Sequence, residues 1–158
     1  MNTVANYFRS SADAIRYLVD DEIVVRRMAS GIRKCCLMGG KILIAGNGGS
    51  CADAEHFAGE LTCTFRDRSR PGFAAISLAN NSAITAWSND LSFSLYFSRQ
   101  VEALGRSGDI LFLISTGGGE AKSGASMNLV VAAEMAIRNK LKIYSLVGKT
   151  GGELSSIS

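Results

Sequence analysis

Four short apolar runs constrain this chain more than any other feature. They are Lys41-Ile-Leu-Ile-Ala45, Phe73-Ala-Ala-Ile-Ser-Leu78, Asp109-Ile-Leu-Phe-Leu-Ile-Ser115 and Lys142-Ile-Tyr-Ser-Leu-Val147. None shows the strict apolar–polar alternation of a strand with one wet face, so each reads as a strand buried on both sides. Helical spacing separates them. A helical stretch runs from the first loop to about Thr64, and a short one passes through Ala83 to Trp87. Residues 92–104 place Phe93, Phe97, Val101 and Leu104 on one face, and a further helix runs from about Ser126 to Asn139. Strands alternating with helices predict an α/β fold with a parallel sheet covered on both faces.

Two more helices precede the sheet. Residues 3–19 repeat Val4, Phe8, Ile15, Leu18 and Val19 at near-helical intervals, and residues 21–38 do so with Ile23, Met28, Ile32, Cys35 and Cys36. Gly39-Gly40 stops the second. At 158 residues the chain has one domain's worth of length. Residues 1–40 form a helical N-terminal part and 41–158 the α/β part. The N-terminal pair has more apolar surface than one small sheet covers, so partner subunits are expected to bury the rest.

Composition excludes several roles. Lys+Arg 17 against Asp+Glu 14 gives a net charge of +3, too mild for nucleic acid as the main partner. The run from Leu129 to Ile137 is broken by Glu134, and no stretch approaches the roughly 20 apolar residues of a membrane span. The N-terminus has charges and no apolar core, so no signal peptide is expected. Cys35, Cys36, Cys51 and Cys63 show no CxxC spacing and read as free thiols in a reducing cytoplasm.

In parallel sheets, ligands bind at the carboxyl ends of the strands, at a topological switch point. Gly/Ser/Asn-rich loops stand there at 46–50, 79–82 and 115–126. Gly46-Asn47-Gly48-Gly49-Ser50 follows a strand and opens a helix. Its glycines let backbone N–H groups approach an anion, and Ser50 can cap the helix. No Lys-Ser/Thr follows, and Cys51 stands where GxGxxG needs its third glycine, so neither nucleotide motif fits. Ser115-Thr116-Gly-Gly-Gly119 forms a second hydroxyl-and-glycine cradle. Two such loops together predict a phosphorylated small molecule held mainly by neutral donors.

His56, the chain's single histidine, and Glu60 lie four residues apart on the helix opened by the first loop. That spacing places them on one face, suited to a shared metal ion or an acid/base pair. Cys63 continues the face as a buried thiol. Asn89-Asp90 can cap the following helix or meet a ligand. Arg66, Arg68 and Arg70 form a small basic cluster, solvated or turned toward an anion.

Residues 41–62, Lys-Ile-Leu-Ile-Ala-Gly-Asn-Gly-Gly-Ser-Cys-Ala-Asp-Ala-Glu-His-Phe-Ala-Gly-Glu-Leu-Thr, resemble the sugar isomerase (SIS) domain in its phosphoheptose isomerase branch. Asn89-Asp90, residues 97–106, Gly108-Asp-Ile-Leu111 and Ile114-Ser-Thr116 match in the same order, and the resemblance runs from residue 1 to about 154. It implies a flavodoxin-like doubly wound sheet and a cytoplasmic homotetramer with sites at subunit interfaces. The implied reaction is isomerisation of sedoheptulose 7-phosphate to D-glycero-D-manno-heptose 7-phosphate, for lipopolysaccharide or surface-polysaccharide heptose. The implied substrate-binding residues are Asn47, Gly48, Gly49, Ser50, Asn89, Asp90, Ser115, Thr116 and Ser126. His56 and Glu60 would bind zinc, with Glu60 also the base.

The chain departs from that pattern in places. Gly117 replaces a substrate-binding serine, Thr64 stands where an arginine is common, and the 117–126 loop is lengthened. The resemblance also implies a final helix whose glutamine and histidine complete the metal site; residues up to Ser158 do not contain it, so zinc's remaining ligands are expected outside this chain. The alternative within the family is a non-catalytic SIS module that binds phosphosugars or a replication initiator protein.

Overall fold

The computed structural model describes residues 3–158. Residues 1 and 2, the start of the predicted N-terminal part, lie outside the described residues. The chain divides into two compact units, residues 1–34 and 35–158.

The first unit is helical, as its periodicity predicts. Helix α1 spans Thr3–Tyr17 and α2 spans Glu22–Leu37. Arg16 pairs with Asp13 at 2.6 Å and Arg26 with Glu22 at 2.6 Å, both at helical spacing. Helix α1 buries none of its residues, and Val4, Tyr7, Phe8 and Ile15 are all exposed.

The second unit is the α/β layer structure. Its strands are β1 (Ile42–Gly46), β2 (Ala75–Ser77), β3 (Ile110–Ser115) and β4 (Lys142–Val147). They pair in the order β2-β1-β3-β4, all parallel. The chain moves one way from β1 to β2 and the other way to β3 and β4, so the switch point lies between β1 and β3. This is the doubly wound sheet expected from the sequence. The helices are α3 (Gly49–Thr62), α4 (Asn81–Asp90), α5 (Tyr96–Leu104) and α6 (Met127–Arg138), with short 3-10 turns at Phe93–Leu95 and Glu153–Ser156.

Alternation along the strands separates two packed layers. Leu43, Ala45, Leu111 and Leu113 join Tyr96, Phe97 and Val101 of α5 and Leu129, Ala132, Ala133 and Ala136 of α6 in one buried cluster. The opposite sheet face meets α3, where the Phe57 and Phe112 rings stack edge-on at 5.1 Å. Asp109, 3% exposed, ties the amino ends of β1 and β3 together. It accepts from the Lys41 amide at 2.9 Å, the Lys41 ammonium at 2.5 Å and the Arg106 amide at 2.8 Å.

Several boundaries differ from the expectation. β2 keeps only Ala75–Ser77 of the apolar run 73–78, because the amide of Phe73 is drawn to the carbonyl of Leu61. The single helix expected over 92–104 breaks into a 3-10 turn and α5, with the Ser92 hydroxyl capping the turn through the Ser94 amide. Asn89 and Asp90 do not cap it; they are the last two residues of α4, which is longer than the 83–87 stretch expected. Among the described residues no helix is long and apolar enough to cross a membrane.

Candidate active site

The loop after β1 turns so tightly that its first residue has to be glycine. A Cβ at Gly46 would lie 2.4 Å from the Ser50 carbonyl oxygen. Gly48 follows with φ +57 and serves as N-cap of α3. The cap expected from Ser50 is absent: α3 begins at Gly49 with Gly48 as its cap, two residues too early for Ser50 to occupy that position. Ser50 sits inside the first turn, its amide bonded to the Asn47 carbonyl at 3.0 Å.

The loop after β3 is built by hydrogen bonds within itself and with the loop after β4. Ser115 is buried, and its hydroxyl accepts from the Gly118 amide at 3.0 Å. A Cβ at Gly118 would lie 1.8 Å from the Gly151 carbonyl oxygen, so the two glycine-rich segments pass in backbone contact. The amides of Glu153 and Leu154 donate to the carbonyls of Gly119 and Gly118 at 3.2 and 2.9 Å. The lengthened part folds on itself: the Glu120 amide reaches the Ala125 carbonyl at 2.9 Å, and Ser123 donates to the Glu120 carboxylate at 2.7 Å. Ser126 then stands as N-cap of α6 in the left-handed region, φ +56, without a side-chain cap bond.

Asn128 joins these two loops across the switch point. It lies in the first turn of α6, 3% exposed, and exchanges two amide hydrogen bonds with Asn47, at 2.9 and 2.8 Å. The sequence reading had no role for it. Its signal was an amide inside an otherwise apolar helix, a side chain buried only with a partner.

His56 and Glu60 come together as the spacing predicts, with Nε2 3.3 Å from Oε1. The imidazole side chain is 78% exposed and the carboxylate 33%. The other carboxylate oxygen, Oε2, is buried without a hydrogen-bond partner. Both residues line a cavity of about 600 Å³ with Phe57, Arg70, Phe112 and Ile114. Of the basic cluster only Arg70 turns inward; Arg66 packs over the exposed ring of Phe65 at 5.4 Å. Cys63 is not the buried thiol expected, because α3 ends at Thr62 and its cap residue Cys63 is exposed. Burial, and then the charge of Glu55, raises the Cys51 thiol above its usual value, which keeps it protonated and a poor nucleophile.

Not all expected residues converge. Ser126, Gly117 and Gly119 line a second cavity of about 480 Å³ with Lys149 and Thr150, separate from the His56–Glu60 cavity. Thr116 is exposed beside it. Asn89 donates to Asp90 at 2.8 Å at the exposed end of α4 and lines neither cavity.

The imidazole and carboxylate are donors that zinc accepts, but a zinc site takes at least three protein ligands. Among the described residues no group of three or more His, Cys, Asp or Glu side chains is gathered. The pair therefore supplies two ligands and does not close a site.

The SIS domain family model matches residues 6–148. The phosphoheptose isomerase of Laribacter hongkongensis is 42% identical over 134 residues, 84% of this chain and 65% of that protein. The phosphoheptose isomerase of Yersinia enterocolitica is 40% identical over 155 residues, 96% of this chain and 77% of that protein. The solved structure of a phosphoheptose isomerase from Francisella tularensis superposes with a TM-score of 0.88 at 34% identity, covering 98% of this chain and 78% of that one. The corresponding enzyme from Neisseria gonorrhoeae gives 0.79 at 37% identity, with coverage of 98% and 76%.

Proposed function

The chain belongs to the SIS domain family, and from that premise we propose that it is a phosphoheptose isomerase, interconverting sedoheptulose 7-phosphate and D-glycero-D-manno-heptose 7-phosphate in the supply of surface-polysaccharide heptose. The observation that carries the reading is the pairing of Glu60 with His56 on the helix that opens at the glycine loop.

The phosphate end belongs at the switch point. The glycine loop presents backbone amides at the amino end of α3, where the helix dipole favours an anion. Gly48, Gly49 and Ser50 hold the phosphate from that side; Ser115, Thr116 and Ser126 hold it from the β3 side. Asn47 is bonded to Asn128 and retains one free N–H for the sugar. Asn89 and Asp90, at the exposed end of α4 and lining neither cavity, have no assigned contact with the sugar. From the first turn of α3, His56 and Glu60 lie roughly 9–15 Å along the axis at about 1.5 Å per residue. An extended seven-carbon sugar phosphate is about that long.

The chemistry is a proton transfer between adjacent carbons. Glu60 takes a proton from C1 of the ketose. The C1–H electron pair forms the C1–C2 double bond of an enediol, and the carbonyl oxygen at C2 gains a proton. The O1 hydroxyl then gives up its proton as the aldehyde forms, and Glu60 returns its proton to C2. Zinc bound by His56 and Glu60, with further ligands from outside the described residues, would polarise the carbonyl.

The exposed apolar residues of α1 support the further reading that the protein works as an oligomer; a homotetramer in the cytoplasm completes the proposal by the likeness to the family alone. A non-catalytic phosphosugar-binding module is the second reading, favoured by the two-ligand metal pair. Incubation with sedoheptulose 7-phosphate and zinc separates the two. The enzyme forms the aldose in the wild type and not in Glu60→Gln, whose substrate affinity stays within a few-fold of wild type; ligand binding with no turnover in the wild type supports the module.

A further inference from the structure

The carboxylate of Glu60 has little to hold it in place. One oxygen meets an exposed imidazole at 3.3 Å, and the other is buried with no hydrogen-bond partner among the described residues. Its position therefore rests on the backbone of the last turn of α3, where a helix leaves its carbonyls without partners. The Cys63 amide closes on the Gly59 carbonyl at 2.9 Å, and the carbonyls of Glu60 and Leu61 lie beyond that bond.

Arg70 takes up both. One guanidinium nitrogen donates to the Glu60 carbonyl, and the other to the Leu61 carbonyl at 3.0 Å and the Pro71 carbonyl at 2.9 Å. The guanidinium lies over the Phe73 ring at 5.0 Å, and the Phe73 amide itself donates to Leu61 at 2.9 Å. The fork is thus held from below by a ring and from the side by its own segment. It lines the same cavity as Glu60 and His56.

We infer that Arg70 is the positioning residue for Glu60: its planar fork fixes the last turn of α3 and so sets where the carboxylate meets the sugar. The inference rests on the reading of Glu60 as the base. A misplacement of about 1 Å in a reacting group can cost on the order of 100-fold in rate. A lysine at this position keeps the charge but loses the planar two-point fork.

The test uses the full chain without a histidine tag, as Arg70→Ala and Arg70→Lys. Positioning predicts that both variants lose about 10- to 100-fold in kcat while KM stays within about two-fold. A second readout needs no turnover. The chain contains one histidine, so one imidazole proton NMR signal reports the carboxylate beside it. That signal should move in both variants in the same direction as in Glu60→Gln. Three results overturn the inference: a raised KM with kcat intact, which makes Arg70 a substrate contact; a lowered melting temperature with kcat and KM intact, which makes it a helix brace only; or an unmoved His56 signal. If the alanine variant does not fold, the lysine variant carries the test. If the wild type itself does not isomerise the sugar, the reading of Glu60 as base falls, and the His56 signal alone decides whether Arg70 positions the carboxylate.

Discussion

Replacing Asn128 with alanine removes what is, among the described residues, the one side-chain link between the glycine loop after β1 and the first turn of α6. Two amide hydrogen bonds disappear, at 2.9 and 2.8 Å. Each contributes roughly 0.5–1.5 kcal/mol net, and a partner left dry would add about 1–3 kcal/mol. Asn47 is only half-buried, so water reaches its freed amide and the penalty stays near the low end. The sum is about 2 kcal/mol, which for a chain of this size lowers Tm by about 4–8 °C. Asn47→Ala should cost a similar amount, and the double variant little more than either, because both remove the same pair. Asn128→Asp sharpens the test. Its carboxylate can accept from Asn47 but cannot donate back, and it sits at a site 3% exposed. Burial raises the pKa of such a group in the folded state above its unfolded value. The variant's deficit relative to wild type is therefore largest at high pH and shrinks as pH falls through the folded pKa and the carboxyl regains a proton to donate. Thermal melts of the four variants between pH 5 and 8 measure this. An alanine variant melting within about 1 °C of wild type, or an aspartate variant whose deficit does not grow with pH, would refute the reasoning.

Other consequences follow from the same geometry. Gly46→Ala places a methyl 2.4 Å from a backbone oxygen, so the loop must shift and the rise in Tm produced by millimolar sugar phosphate should be lost. Ser50→Ala, which removes no cap, should leave the stability of the free protein within about 0.5 kcal/mol of wild type yet weaken that ligand-induced rise. Iodoacetamide at neutral pH should label exposed Cys63 first and Cys35 last; burial foremost, then the charges of Cys36 and Asp109, hold the Cys35 thiol above its usual value. Peptide mapping of the labelled chain reads the order.

The sheet and its helices were legible because apolar runs and 3.6-residue spacing report burial directly. The glycine loop and the His56–Glu60 pair were legible for a related reason: a turn's backbone and an i, i+4 pair are local. What the sequence hid is non-local. Asn128 and Asn47 stand 81 residues apart, and no spacing rule links them. Gly151 and Gly152 follow the last strand with no local sign that their backbone packs against the loop of Gly118, more than 30 residues earlier. Arg70 looked like its neighbours Arg66 and Arg68, and only the strap that lays Phe73 along α3 turns it inward. The Ser50 cap failed by two residues of helix register.

The central claim is that a sugar phosphate lies along α3, anchored at the switch-point loops with its carbonyl end at Glu60. The crystal structure of the Glu60→Gln protein with sedoheptulose 7-phosphate tests it most directly. The account predicts the phosphate between the amides of Gly48 and Gly49 and the hydroxyls of Ser50 and Ser126, with C1 and C2 against residue 60. A phosphate held by Lys149 and Thr150 and out of reach of the Gly48 and Gly49 amides, or a sugar whose reacting carbons point away from α3, would contradict it.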